Sequence, residues 1–139
     1  MTDRSFLDTN ILVYAYDSYE PQKQQKAQML LAEGIEKENA VISVQVLGEF
    51  FNVVTKHIKQ PMSSDEAQEI ISTLSILPVQ EIDLPMVGRA IDTHREYKIS
   101  YWDALIVSSA ERAKCSEIIT EDLSDNQIYH DIVVFNPFK

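Results

Sequence analysis

The sequence predicts a three-layer α/β fold, a single domain over residues 1–139 with a mainly parallel sheet. Three observations carry that prediction. Short apolar runs alternate with longer segments of helical periodicity, the signature of strands joined by crossover helices. Two of those runs, Phe6-Leu7 and Ile118-Ile119, lead into aspartates at Asp8 and Asp122. With 45% hydrophobic residues in 139, the chain has globular composition and length enough to bury about two thirds of its unfolded surface.

Arg4 to Leu7 is the first predicted strand, and Ile11 to Tyr16 is a short helical turn ending at Asp17-Ser18. Glu20-Pro21 opens a long helix, where proline's missing N–H costs little. Ala27, Leu30, Leu31, Gly34 and Ile35 give this helix an apolar stripe, and Asn39 breaks it. Ala40 to Ile42 is the second strand, ended by Ser43. The third helix runs from Gln45 to Ile58, with Val46, Leu47, Phe50, Phe51, Val54 and Ile58 as its stripe, and Pro61 prevents extension. Ser63 and Glu66 have capping-box spacing at the start of the fourth helix, which Pro78 ends. Val79 to Ile82 is a third strand, suited to a sheet edge. Asp83-Leu84-Pro85 starts the fifth helix, with Val87, Ala90, Ile91 and His94 on one face; His94 reads as a helix-end or packing residue. The sixth helix runs from Tyr101 to Lys114. Glu117 to Thr120 and Ile132 to Phe135 complete a set of five strands.

Charge narrows the function classes. The net charge of −10, from 22 acidic and 12 basic residues, opposes polyanionic partners, which favour basic surfaces. Acids gathered at a divalent-cation site would escape that objection, because bound metal neutralises them. No apolar run reaches the roughly 18 residues of a membrane span, so no membrane association is expected. Met1-Thr2-Asp3-Arg4 shows no signal-peptide pattern, and the single Cys115 has no internal partner; both point to a reducing cytoplasm.

Four acids occupy positions that surface solvation alone does not explain. Asp8 closes the first strand, at the carboxyl edge where open α/β sheets bind ligands. Asp8 and Asn10 also suit a turn or a helix cap. Glu49 has Val46 and Val53 at i−3 and i+4, so it lies along an apolar stripe unless it reaches water at a rim. Asp103 faces Ile106, Val107 and Ala110, and with Ser100 it also fits a capping box. Asp122 repeats the logic of Asp8 after the fourth strand, with Glu121 read as outward-facing and Asp125 and Asn126 as turn residues. Two carboxylates about 4 Å apart repel by roughly 4 kcal/mol at an effective dielectric near 20, so a converged set needs cations. Oxygen-only ligands select Mg²⁺ or Mn²⁺ over Zn²⁺, and the chemistry that follows is metal-assisted hydrolysis of a phosphodiester.

Taken together, Phe6-Leu7-Asp8-Thr9-Asn10, Glu49-Phe50, Trp102-Asp103-Ala104-Leu105-Ile106 and Thr120-Glu121-Asp122-Leu123 make the chain resemble the PIN-domain ribonucleases. Within them it resembles in particular the VapC toxins of bacterial and archaeal toxin–antitoxin pairs. The resemblance implies a three-layer α/β/α PIN-like fold with strand order 3-2-1-4-5. It implies that Asp8, Glu49, Asp103 and Asp122 hold Mg²⁺ or Mn²⁺, with Thr9 and Asn10 supporting the first acid and Thr120 the last. It also implies an RNA substrate, a cognate antitoxin protein and a homodimer. A haloacid-dehalogenase-type phosphatase fits less well, because Asn10 stands where a second aspartate is required. A response-regulator receiver lacks its strand-end lysine before Lys139. A non-cleaving PIN-like module that binds RNA or protein is the alternative of another class.

Lys56, His57 and Lys59, and separately Lys23 and Lys26, are candidate RNA contacts or solvated surface. Tyr14, Tyr16 and Tyr19 are expected to be exposed aromatics suited to a partner interface, unless the core takes one of them.

Overall fold

Ser5 to Leu7 illustrate how the sheet is built. Phe6 and Leu7 are neighbours in one strand and so point to opposite faces, yet both are buried. The same holds for Val41 and Ile42, and for Ile118 and Ile119. Helices therefore cover both faces of the central strands, as expected of a parallel sheet. The computed structural model describes residues 3–139; Met1 and Thr2, part of the stretch read above for a signal peptide, lie outside the described residues.

The elements follow in the order β1 (Arg4–Leu7), α1 (Thr9–Ala15), α2 (Pro21–Glu36), β2 (Ala40–Ser43), α3 (Val44–Lys56), α4 (Ser64–Leu74), β3 (Val79–Gln80), α5 (Leu84–Tyr97), α6 (Tyr101–Arg112), β4 (Cys115–Ile119), β5 (Ile128–Tyr129) and β6 (Ile132–Phe135). The sheet order is β3-β2-β1-β4-β6-β5, six strands rather than five. All pairings are parallel except β5 with β6. Without the two-residue β5, the remaining strands stand in the expected 3-2-1-4-5 order. β5 and β6 are joined through His130 and Asp131, both at positive φ (49° and 69°). That is the twist a two-residue hairpin requires. Because β1 and β4 are adjacent and parallel, Asp8 and the Thr120–Asp122 segment leave the sheet on one edge.

Helix faces are set by packing, and here several expectations change. In α2 the buried positions are Ala27 and Gly34, whereas Ile35 is exposed. A Cβ on Gly34 would stand 2.5 Å from the Ala40 Cβ, so glycine is what lets α2 close on β2. In α3, Val46, Phe50 and Val54 are buried at i, i+4 and i+8, while Phe51 is 37% exposed; the helix stops at Lys56 rather than Ile58. The buried face of α5 is Met86, Ala90 and Thr93, not the face of Val87, Ala90, Ile91 and His94. Thr93 can be buried because its hydroxyl donates to the Arg89 carbonyl and meets His130 Nε2 at 2.8 Å. His94 is exposed at the helix end, against the Ile99 carbonyl.

One large cluster around Phe6, Ile42, Phe50 and Ile118 fills the core, and a smaller one of Met86, Ala90, Ala104 and Leu105 joins α5 to α6. No helix among the described residues is long and apolar enough to cross a membrane.

Candidate active site

The carboxyl edge of β1 and β4 gathers the polar groups. Asp8, 5% exposed, is the N-cap of α1. Its Oδ1 accepts the Thr9 N–H at 2.7 Å and its Oδ2 accepts the Thr120 hydroxyl at 2.8 Å. The capping reading and the site reading of Asp8 thus describe one residue: the cap fixes the carboxylate at the sheet edge.

Thr120 is fully buried just beyond β4 and works as a hub. Besides donating to Asp8, its Oγ1 accepts from Asn10 Nδ2 and from the Asp122 N–H, each at 3.0 Å. Asn10 Nδ2 also donates to Asp122 Oδ2 at 3.1 Å, and its Oδ1 accepts the Glu121 N–H at 3.4 Å. The Thr9 hydroxyl donates to Glu49 Oε1 at 2.6 Å. The supports are therefore shared across the acids: Thr9 serves Asp8 and Glu49, Asn10 serves Asp122, and Thr120 ties the first acid to the last.

Glu49 stands half-buried on α3, at the rim of the apolar stripe rather than inside it. Gln45, one turn earlier, donates through Nε2 to Glu49 Oε2 at 3.2 Å and to the Trp102 carbonyl at 3.1 Å. This amide joins α3 to the start of α6, where Asp103 sits; its own Oε1 is buried without a partner. Sequence reading gave Gln45 no role. Its signal was the i, i+4 spacing to Glu49 on one helix face. Asp103 is the third residue of α6, whose N-cap is Ser100; Ser100 Oγ accepts the Asp103 N–H at 3.1 Å, and the Asp103 side chain is half-buried.

Electrostatics bind the four acids into one neighbourhood. Burial pushes the Asp8 carboxyl up to about 6, against the lowering effect of the Thr120 and Thr9 bonds, with the charges of Asp122 and Glu49 raising it further. Asp103 is also raised, first by burial and then by the charges of Asp122 and Glu49, with the Ser100 contact opposing. A buried carboxylate facing like charges is stabilised by a cation. The available donors are carboxylate, hydroxyl and amide oxygens, a set that fits a hard divalent ion. Among the described residues no group of three or more His, Cys, Asp or Glu forms a ready-made metal cage. Mg²⁺ suits such an open arrangement, since it is held by one or two carboxylates plus waters and substrate oxygens.

A cleft of about 650 Å³ opens beside the acids, lined by Thr9, Asn10, Val13, Tyr14, Gly48, Glu49, Asn52, Val53, His57, Ile58 and Asp122. Of the basic candidates, only His57 lines it. Lys23 is committed elsewhere, bonded to Glu121 Oε2 at 3.0 Å with its ammonium 4.8 Å from the Tyr14 ring centroid. Glu121 is accordingly not outward-facing: it is held by Lys23 and by the Tyr14 hydroxyl. Lys26 and Lys56 are exposed, and Lys59 lies over the Tyr19 ring. Tyr14 and Tyr16 are half-buried, packed edge-on against Phe138 and Phe50, which leaves Tyr19 as the exposed aromatic. Asp125 accepts the Asn136 N–H as a turn residue, and Cys115 is buried.

The family model described as PIN domain matches residues 5–129. No curated protein matches the chain. Solved structures align over most of its length. A toxin–antitoxin complex from Klebsiella pneumoniae aligns with TM-score 0.70 and 21% identity, covering 96% of this chain and 97% of that one. VapBC2 from Rickettsia felis, bound to a DNA fragment from its promoter, gives 0.64 and 22%, covering 94% and 96%. VapC20 of Mycobacterium tuberculosis, described as a sarcin-ricin loop cleaving toxin, gives 0.63 and 15%, covering 82% and 86%. At these identities the likeness is one of fold.

Proposed function

From its membership of the PIN domain family, to which the chain belongs, we propose that this protein is a divalent-metal-dependent endoribonuclease and the toxin of a VapBC-type pair. The observation that carries this reading is the cross-linked carboxylate group at the sheet edge: Asp8, Glu49 and Asp122 joined through Thr9, Asn10 and Thr120, with Asp103 in their electrostatic field. Asp8, Glu49, Asp103 and Asp122 are the proposed ligands of Mg²⁺ or Mn²⁺. A bound ion of this kind supplies Lewis-acid stabilisation of the phosphodiester and a more acidic water.

The chain's own residues supply positioning. Thr9, Thr120 and Gln45 fix the oxygens of Asp8 and Glu49 with one donor to each oxygen, leaving their remaining lone pairs for other ligands. Asn10 holds Asp122, the one exposed acid of the four, against the sheet edge. The ordering is done before substrate arrives, as preorganised sites require.

The proposed partners follow from the same charges. A substrate RNA brings phosphate oxygens to the site only with cations present, since the chain carries −10 overall. An antitoxin is the proposed protein partner, with an arginine able to satisfy the acids in place of metal. The solved relatives that are toxin–antitoxin complexes support that choice. A homodimer in the cytoplasm completes the proposal. Brief expression in cells followed by mapping of RNA 5′ ends, with Asp103→Asn as control, tests it. New ends confined to a few loops and absent in the control are expected; identical ends in both would count against a nuclease.

A further inference from the structure

Resting on the ribonuclease reading, we infer that the cleft between α1 and α3 receives the unpaired nucleoside next to the scissile phosphodiester, and that Asn52 and His57 discriminate its base. The cleft is continuous with the carboxylate group, sharing Asn10, Glu49 and Asp122 with it. A strand whose phosphate lies against those acids therefore places a neighbouring nucleoside at the cleft. At about 650 Å³ it is within the size range of small-molecule pockets. Gly48 lines the cleft with open space beside it, nothing lying within 4 Å of the position a Cβ would take.

Charge selects the occupant. The lining contains two carboxylates, Glu49 and Asp122, and neither Lys nor Arg. A second phosphate is repelled there, whereas an uncharged ring is not. Val13, Val53 and Ile58 offer apolar contact for the ring faces, with Tyr14 beside them. Asn52 and His57 are exposed on α3 and at its C-cap, where each can reach a base edge. An asparagine amide carries both donor and acceptor and can bond one base edge twice. Single-stranded RNA presents bases free for this kind of reading.

Titrating the full-length protein in EDTA with adenosine, cytidine, guanosine and uridine, followed by amide chemical shifts, tests the inference without relying on cleavage. At least one nucleoside should give saturable shifts clustered at Asn52, Val53 and His57. Asn52→Ala and His57→Ala, both at exposed positions, should each weaken its binding about five-fold, the effect of one hydrogen bond. A cleavage arm then reads the nucleoside beside each cut in a randomised-loop RNA: the base bound most tightly should be enriched, and Asn52→Ala should flatten that enrichment. Absent or scattered shifts would overturn the subsite, even if RNA is cut. Clustered shifts without any RNA cleavage would leave the subsite standing and overturn the nuclease reading instead.

Discussion

Replacing Asp8 by Asn should remove a pH-dependent instability that the native protein carries without metal. Burial raises the Asp8 carboxyl from 3.8 to about 6, so the folded chain holds this proton more tightly than the unfolded chain does. Stability therefore falls as pH rises through that window and levels off above it. The full effect is about 3 kcal/mol, of which about 1.4 kcal/mol develops between pH 5 and 8. The amide adds an opposing, pH-independent term. It can still accept the Thr9 N–H, but the Thr120 hydroxyl loses its carboxylate acceptor, at about 1–3 kcal/mol. The two terms nearly cancel in absolute stability, so the diagnostic is the slope. Urea unfolding of both proteins in EDTA at pH 5, 6, 7 and 8 measures it. The stability of Asp8→Asn relative to wild type should improve by about 1.4 kcal/mol across that range. A gap that stays constant with pH would refute the claim that Asp8 is ionised against a desolvation cost.

Other sites give independent tests. Burial pushes the Cys115 thiol up to about 12, leaving about one thiolate in ten thousand at pH 8; iodoacetamide should label it in urea and not in the native protein. Phe50→Ala should cost about 3–5 kcal/mol in chemical denaturation, and Phe51→Ala, half-exposed one residue away, well under half of that. Lys23 is engaged by Glu121 and Tyr14, so Lys23→Ala should leave the salt dependence of RNA binding unchanged; a slope reduced by about one would show a phosphate contact.

What sequence could reveal here depended on how far apart the interacting residues lie. Asp8 and Asp122 stood out because an acid at the end of a buried strand is itself anomalous, and Glu49 because Val46 and Val53 flank it along the helix, although the structure puts it at the rim of that stripe. The bonds that organise them were not legible. Thr120 to Asp8 and Asn10 to Asp122 each span 112 residues, and only the pairing of β1 with β4 brings them together. Gln45 was missed, and Glu121 misread as outward-facing, for the same reason, as their partners Trp102, Tyr14 and Lys23 lie on other elements. β5 escaped notice because its turn uses His130 and Asp131 in the left-handed region, without the Asn-Gly or Asp-Gly that marks such hairpins. The α5 face was misjudged because Thr93 counts as polar, although its hydroxyl is satisfied inside the core.

The central claim, that these four acids cut RNA with the help of a divalent cation, is tested most directly by incubating purified protein with a looped RNA and varying only the metal. Cleavage should stop in EDTA, return on adding Mg²⁺ or Mn²⁺, and be absent in folded Asp8→Asn under every condition. Hydrolysis that persists in EDTA, or that survives in the folded Asp8→Asn protein, would contradict it.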